Sequence, residues 1–172
     1  MARDPYRGAL TVYRIVRAGY PVFDGSGAAR WGGRWTSPGR AVIHAAQTYA
    51  LAVLENLVHF NASELPPNLV VTQIDIPARV SREIVRRSDV PGFDSDNTYD
   101  ACREIGDRWH QTASSALLIV PSRLSPHECN VLSRPGHKET GKLKVGDSMP
   151  ARIDERLKDL LGKPRRSRTR RH

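Results

Sequence analysis

Arg14, Glu55 and Ser122 stand out because each is a polar group set against an apolar pattern. Residues 10–16 alternate as a strand, with Thr11, Tyr13 and Ile15 on one side and Leu10, Val12, Arg14 and Val16 on the other. A guanidinium sharing a face with three aliphatic residues has two explanations. It snorkels to water from an edge strand, or it is buried against an anion or carboxylate. Glu55 poses the same choice on a helix. Thr48 caps a helix running to about Phe60, with Leu51, Leu54, Leu57 and Val58 as its apolar stripe. Glu55 falls at the edge of that stripe, beside Ala52 and His59, as a solvent-facing boundary residue or a carboxylate held at a cleft rim for chemistry. Ser122 directly follows Pro121, which stops a buried strand over 115–120. That place suits an ordinary turn and equally a functional hydroxyl at a strand's carboxyl end.

His44 lies in Ala41-Val-Ile-His-Ala45, a short buried strand, where a hydrogen-bonded core histidine and a site residue are both open readings. Just before it, residues 19–39 form a long glycine-rich connection containing Arg30-Trp-Gly-Gly-Arg34-Trp35. Long connections in small domains are often functional, and glycines such as Gly33 let a backbone approach a ligand closely or simply make turns. The glycine spacing fits neither a P-loop nor a dinucleotide fingerprint. Cys102 and Cys129 are too few for a zinc site or a disulfide framework, and both are expected to be reduced and packed. His127 precedes Cys129 by two positions, but nothing visibly activates that pair.

The elements that must position these groups follow in order. After the strands and helix above come a strand over 69–76 closed by Pro77 and a polar loop over 86–98. A helix from Thr98 or Asp100 follows, with Ala101, Ile105 and Trp109 on one face. The strand ending at Pro121, a short strand at Val131-Leu132 and an amphipathic helix from Pro150 to Leu161 complete the order. Helices do not alternate regularly with strands. The expected class is therefore α+β, a mixed β-sandwich core with flanking helices. The length of 172 residues, 39% hydrophobic and 26% charged, suits one folded domain over 1–162. No segment is apolar enough to span a bilayer, and the N-terminus lacks a signal-peptide pattern, so the expected location is the cytoplasm, with no membrane partner.

The net charge of +9 suggests a polyanionic partner until its distribution is considered. Six cations lie between Lys163 and Arg171 without an acid, which leaves +3 on the rest of the chain. Residues 163–172 read as a solvated, disordered basic tail able to touch nucleic acid weakly. A dedicated nucleic-acid domain should instead carry a basic face within the fold.

Four stretches in order, Val12-Tyr-Arg14-Ile-Val, Gly27-Ala-Ala-Arg-Trp-Gly-Gly-Arg34-Trp, Leu51-Ala-Val-Leu-Glu55 and Val120-Pro-Ser122, resemble the RES domain. That domain is the toxin component of Xre–RES toxin–antitoxin pairs. Weaker agreement continues through Glu128-Cys-Asn130-Val, Pro135-Gly-His137 and Ile153-Asp-Glu-Arg156-Leu, so the resemblance covers roughly residues 10 to 161.

The resemblance implies a fold similar to ADP-ribosyltransferases and diphtheria-type toxins. It implies a toxin that cleaves the nicotinamide–ribose bond of NAD⁺ and depletes the cell of it, or one that transfers ADP-ribose to a protein. Glu55, Arg14 and Ser122 become the expected catalytic residues. Arg14, Arg34, His44, Ser122 and Gly33 become the expected NAD⁺ contacts. NAD⁺ is substrate rather than cofactor, and nothing in the chemistry requires a metal. The implied partner is an Xre-type antitoxin covering the active site, with DNA reached only through it. One departure is that family members often have tyrosine where this chain has His44, and an unperturbed histidine changes charge near neutrality.

Overall fold

β1 (Leu10–Arg17) forms where the alternation places it. The structure, a computed structural model, describes residues 5–60, 65–95 and 99–157. It adds β2 (Ile43–Ala46), β3 (Leu69–Ile76), β4 (Arg82–Ile84), β5 (Leu117–Pro121), β6 (Cys129–Ser133) and β7 (Lys144–Pro150). The helices are α1 (Ser26–Trp31), α2 (Tyr49–Phe60) and α3 (Tyr99–Thr112). The α+β class stands, and the strands form one seven-stranded hydrogen-bonded sheet in the order β4-β5-β6-β2-β1-β3-β7. All pairings are antiparallel except β4 with β5.

The sheet is weakest at its middle. β1 pairs with β3 from Leu10↔Ile76 to Arg17↔Leu69, but with β2 only through Tyr13↔Ala46. Two half-sheets therefore meet at one register pair, and a split opens beside Arg14.

One face carries Val12, Ala45, Ile74, Leu117, Ile119 and Val131 in a single apolar cluster. The other face carries both long helices. Ile15, Ala46, Leu69 and Val71 pack against α2, while Val42, Leu118, Val120 and Leu132 pack with Cys102 and Trp109 of α3. β5 is buried at every residue, as the continuous apolar run predicts.

Several expectations are corrected. β1 lies between β2 and β3, so the edge-strand explanation of Arg14 fails. On α2 the buried residues are Leu51, Ala52, Val53 and Leu57, whereas Leu54 (39%) and Val58 (59%) are exposed. Leu65, Ala151 and Ile153 wall the helix on one side and widen its buried arc. At about 100° per residue, Glu55 falls inside that arc, between Leu51 and Ala52. On α3 the buried stripe is Cys102, Gly106 and Trp109, with Ala101 exposed. The glycine-rich connection contains α1, preceded by Asp24, whose carboxylate accepts from the Ser26 N–H and hydroxyl. β4 and β7 carry no sequence signal: one has three residues, and the other is exposed throughout. Pro150 ends β7 instead of starting a helix, and only residues 155–157 of the expected last helix are described as helical. Residues 158–161 and the basic tail lie outside the described residues.

Candidate active site

Glu55 is held from two sides. The Asn130 side-chain amide of β6 donates to Glu55 Oε1 at 2.7 Å, and the Ser122 hydroxyl donates to the same oxygen at 3.2 Å. Asn130 projects from the helix-bearing face because its neighbour Val131 packs on the other one. Glu55 Oε2 has no partner among the described residues. The result is a half-buried carboxylate with one oxygen fixed and the other available.

Ser122 is 0% exposed and is engaged throughout. Its oxygen accepts the Leu124 and Ser125 N–H groups at 3.1 and 3.2 Å, folding the turn after Pro121 back onto the hydroxyl. Its N–H donates to the Glu128 carbonyl at 3.0 Å, and its carbonyl accepts Arg87 Nη2. Glu128 also takes the Thr48 hydroxyl, whose oxygen caps α2 through the Leu51 N–H at 3.1 Å. The start of the helix that carries Glu55 is thus tied to the turn that carries Ser122.

Arg14 fills the split in the sheet. Nη1 donates to the His44 carbonyl at 2.8 Å and Nη2 to the Asp24 carbonyl at 3.0 Å, while Nε is buried without a partner. Burial pushes its pKa down to about 10, with Asp24 opposing, so it stays a cation at neutral pH. His44 is driven to about 4, first by burial and then by Arg14 and His59. Its ring is therefore neutral through the physiological range, which corrects the expectation of a charge change near pH 7. A methyl group built on Gly33 would lie 4.0 Å from His44 Cε1, so this glycine borders the imidazole with room to spare.

Arg34 forms a second wall. Its guanidinium sits 4.3 Å from the Tyr99 ring centre and 5.8 Å from that of Phe93, and it opposes the burial that pushes the Cys102 thiol pKa up. Arg103 Nε fixes the Gly33 carbonyl at 2.9 Å. Arg87 stacks on Phe93 at 4.9 Å and pairs with Asp94.

The structure thus joins Glu55 with Ser122, Arg14 with His44, and His44 with Gly33. His59, one turn beyond Glu55 on α2, acts electrostatically on His44. Arg34 lies with α3, not in direct contact with Glu55. Reading the sequence did not assign roles to Asn130, Asp24 or Arg87. A polar residue directly before the apolar pair Val131-Leu132 was the available signal for Asn130.

One mixed sheet carries two helices on one face, with the Glu55 carboxylate pinned between α2 and the β5–β6 turn. The RES domain model matches residues 11–154, and the chain belongs to the RES-domain family. A Sphingobium sp. protein called "Prs ADP-ribosylating toxin" is 37% identical over 124 residues, spanning 70% of this chain and 77% of that protein. A protein called "Toxin Res" from Photorhabdus laumondii is 34% identical over 152 residues, spanning 86% and 97%. The fold also matches a solved chain from the M. tuberculosis MbcT–MbcA toxin–antitoxin complex, with TM-score 0.69 and 18% identity over 91% of this chain and 93% of that one. No described helix is long and apolar enough to cross a membrane.

Proposed function

We propose that this protein is a toxin that breaks the nicotinamide–ribose bond of NAD⁺ and depletes the cell of it. The observation that carries this reading is the Glu55 carboxylate, fixed through Oε1 by Asn130 and Ser122 with Oε2 left for a substrate. In the reaction the C–N bond breaks and its electron pair leaves with neutral nicotinamide. Positive charge gathers at the anomeric carbon, where a preorganised anion stabilises it without reorganisation. An acceptor oxygen, from water or phosphate, then bonds that carbon and releases its proton.

The remaining groups take matching parts. Arg14 and Arg34 supply positive charge on the side of the diphosphate, with Arg14 held in place by the His44 and Asp24 carbonyls. Neutral His44 lines the nicotinamide side without repelling a cationic ring, and Gly33 leaves space there. Ser122 acts through Glu55, because its own proton and lone pairs are already engaged.

The test is the cellular NAD⁺ concentration after brief induction of wild type and of Glu55→Ala. The expected result is a rapid fall that Glu55→Ala slows by about 10²–10³-fold, the scale of one lost electrostatic catalytic group. An unchanged pool with normal growth would remove the reading.

A protein acceptor is the second reading, favoured by the name of the Sphingobium relative. Labelled NAD⁺ added to lysate separates the two, since label on one discrete protein band identifies a transferase. An antitoxin partner is part of the proposal, supported by the toxin–antitoxin complex among the fold matches. Growth restored by co-expressing a neighbouring helix-turn-helix protein is the expected outcome.

A further inference from the structure

A second cationic site lies away from Glu55. A pocket of about 320 Å³ opens at the β4 edge of the sheet, lined by Arg7, Arg82, Arg86, Ala78, Val80 and Ile84. Arg82 and Ile84 pair with Leu117 and Ile119, which belong to the apolar cluster on the face opposite the helices. Glu55 and Asn130 lie on the helix-bearing face, so the two sites are separate.

Arg82 is the fixed centre of this pocket. Nε donates to the Val80 carbonyl at 3.0 Å, Nη1 to Tyr6 and Gly8 at 2.9 and 2.8 Å, and Nη2 to Pro77 at 2.7 Å. All four acceptors are neutral carbonyls, and no carboxylate among the described residues balances the charge. The three neighbouring acids are engaged elsewhere. Glu139 holds the Ser81 N–H and hydroxyl and pairs with Lys142. Asp89 takes the Arg86 backbone N–H at 2.8 Å, and Glu83 takes the Ser114 and Ser115 hydroxyls. Arg7 makes no polar contact among the described residues.

A rigid, half-buried cation with two further guanidinium groups around it creates a local positive potential that an anion would satisfy. Guanidinium groups pair with phosphate oxygens, and Ala78, Val80 and Ile84 complete the lining of the pocket. We propose that this pocket binds a phosphate group, presented by a small phosphate ester or as free phosphate.

The test is thermal unfolding of the full chain titrated with inorganic phosphate and with glycerol 2-phosphate, against chloride at matched ionic strength. The expected result is a saturable rise in Tm with phosphate and none with chloride. A stronger response to the ester identifies the ester as the ligand, and equal responses identify free phosphate. Arg82 is left intact because the fold uses it. Arg7→Gln/Arg86→Gln should keep the wild-type circular dichroism spectrum while weakening the apparent Kd at least ~10-fold, the scale of lost charged hydrogen bonds. Glu55→Ala should keep the full response. No saturable rise in wild type, or an equal rise in the double variant, would overturn the proposal, as would loss of the response in Glu55→Ala.

Discussion

At the scale of residues, the site depends on how Glu55 is held. Asn130 donates at 2.7 Å to a charged acceptor, a bond worth about 1.5–3 kcal/mol. On the proposed reading, Asn130→Ala should slow NAD⁺ consumption by about 10–100-fold, with the loss in kcat and little change in KM, because the amide orients the carboxylate and leaves substrate binding alone. Asn130→Asp should be worse, since two carboxylates would face each other. A KM effect alone would show that Asn130 contacts substrate instead.

His44 gives a pH prediction. Its folded pKa of about 4 lies below its ordinary 6.5, so the unfolded chain binds the proton more readily. The stability it contributes is complete above about pH 6.5 and is lost as pH falls toward 4. His110 shifts in the same direction, again mainly through burial. Urea midpoints between pH 4 and 7 should therefore fall less in His44→Gln than in wild type. Parallel curves would mean that His44 charges freely in the folded protein. Most of this site was legible in the sequence as polar residues on apolar patterns: Arg14, Glu55 and Ser122. What was hidden is the partnership. A register that sets Asn130 under Glu55, or a split that lets Arg14 reach the His44 carbonyl, depends on strands far apart in the chain.

At the scale of elements, α3 carries the wall that holds Arg34. Gly106 is what lets it approach, because a Cβ there would sit 1.7 Å from the Trp35 carbonyl oxygen and 2.8 Å from its carbon. Both are backbone atoms and cannot rotate away. Gly106→Ala should destabilise the fold by more than ~3 kcal/mol, beyond ordinary overpacking, as measured by urea unfolding. A change below 1 kcal/mol (about the usual effect of a single substitution) would show that the Trp35 loop yields easily. The spacing places α3 and its Ile105 and Trp109 face, both of which pack on the core, and fails at Ala101, which is exposed. The true stripe follows Gly106, where absence of a side chain is the packing feature. The same limit applies to α2, where Leu54 and Val58 read as core but face outward. β7 escaped notice because every residue in it is exposed and no face imposes alternation.

At the scale of the whole molecule, several cations are fixed by the fold. Arg14 joins the half-sheets, Arg34 and Arg87 stack on aromatic rings, and Arg82 anchors the β4 edge through backbone carbonyls. The net charge of +9 rests mainly on the six cations of residues 163–172. Deleting that segment should leave the proposed Glu55-dependent NAD⁺ consumption unchanged and abolish most binding to duplex DNA. Each phosphate contact contributes about 0.9 to the slope of log K against log salt, so the slope should shrink by up to about five when the six cations are removed. Filter binding between 50 and 200 mM salt, paired with an NAD⁺ assay on the same preparations, reads both quantities. If truncation leaves DNA binding and its salt slope intact, the folded part itself binds the polyanion. If truncation removes NAD⁺ consumption, the basic segment takes part in the reaction itself.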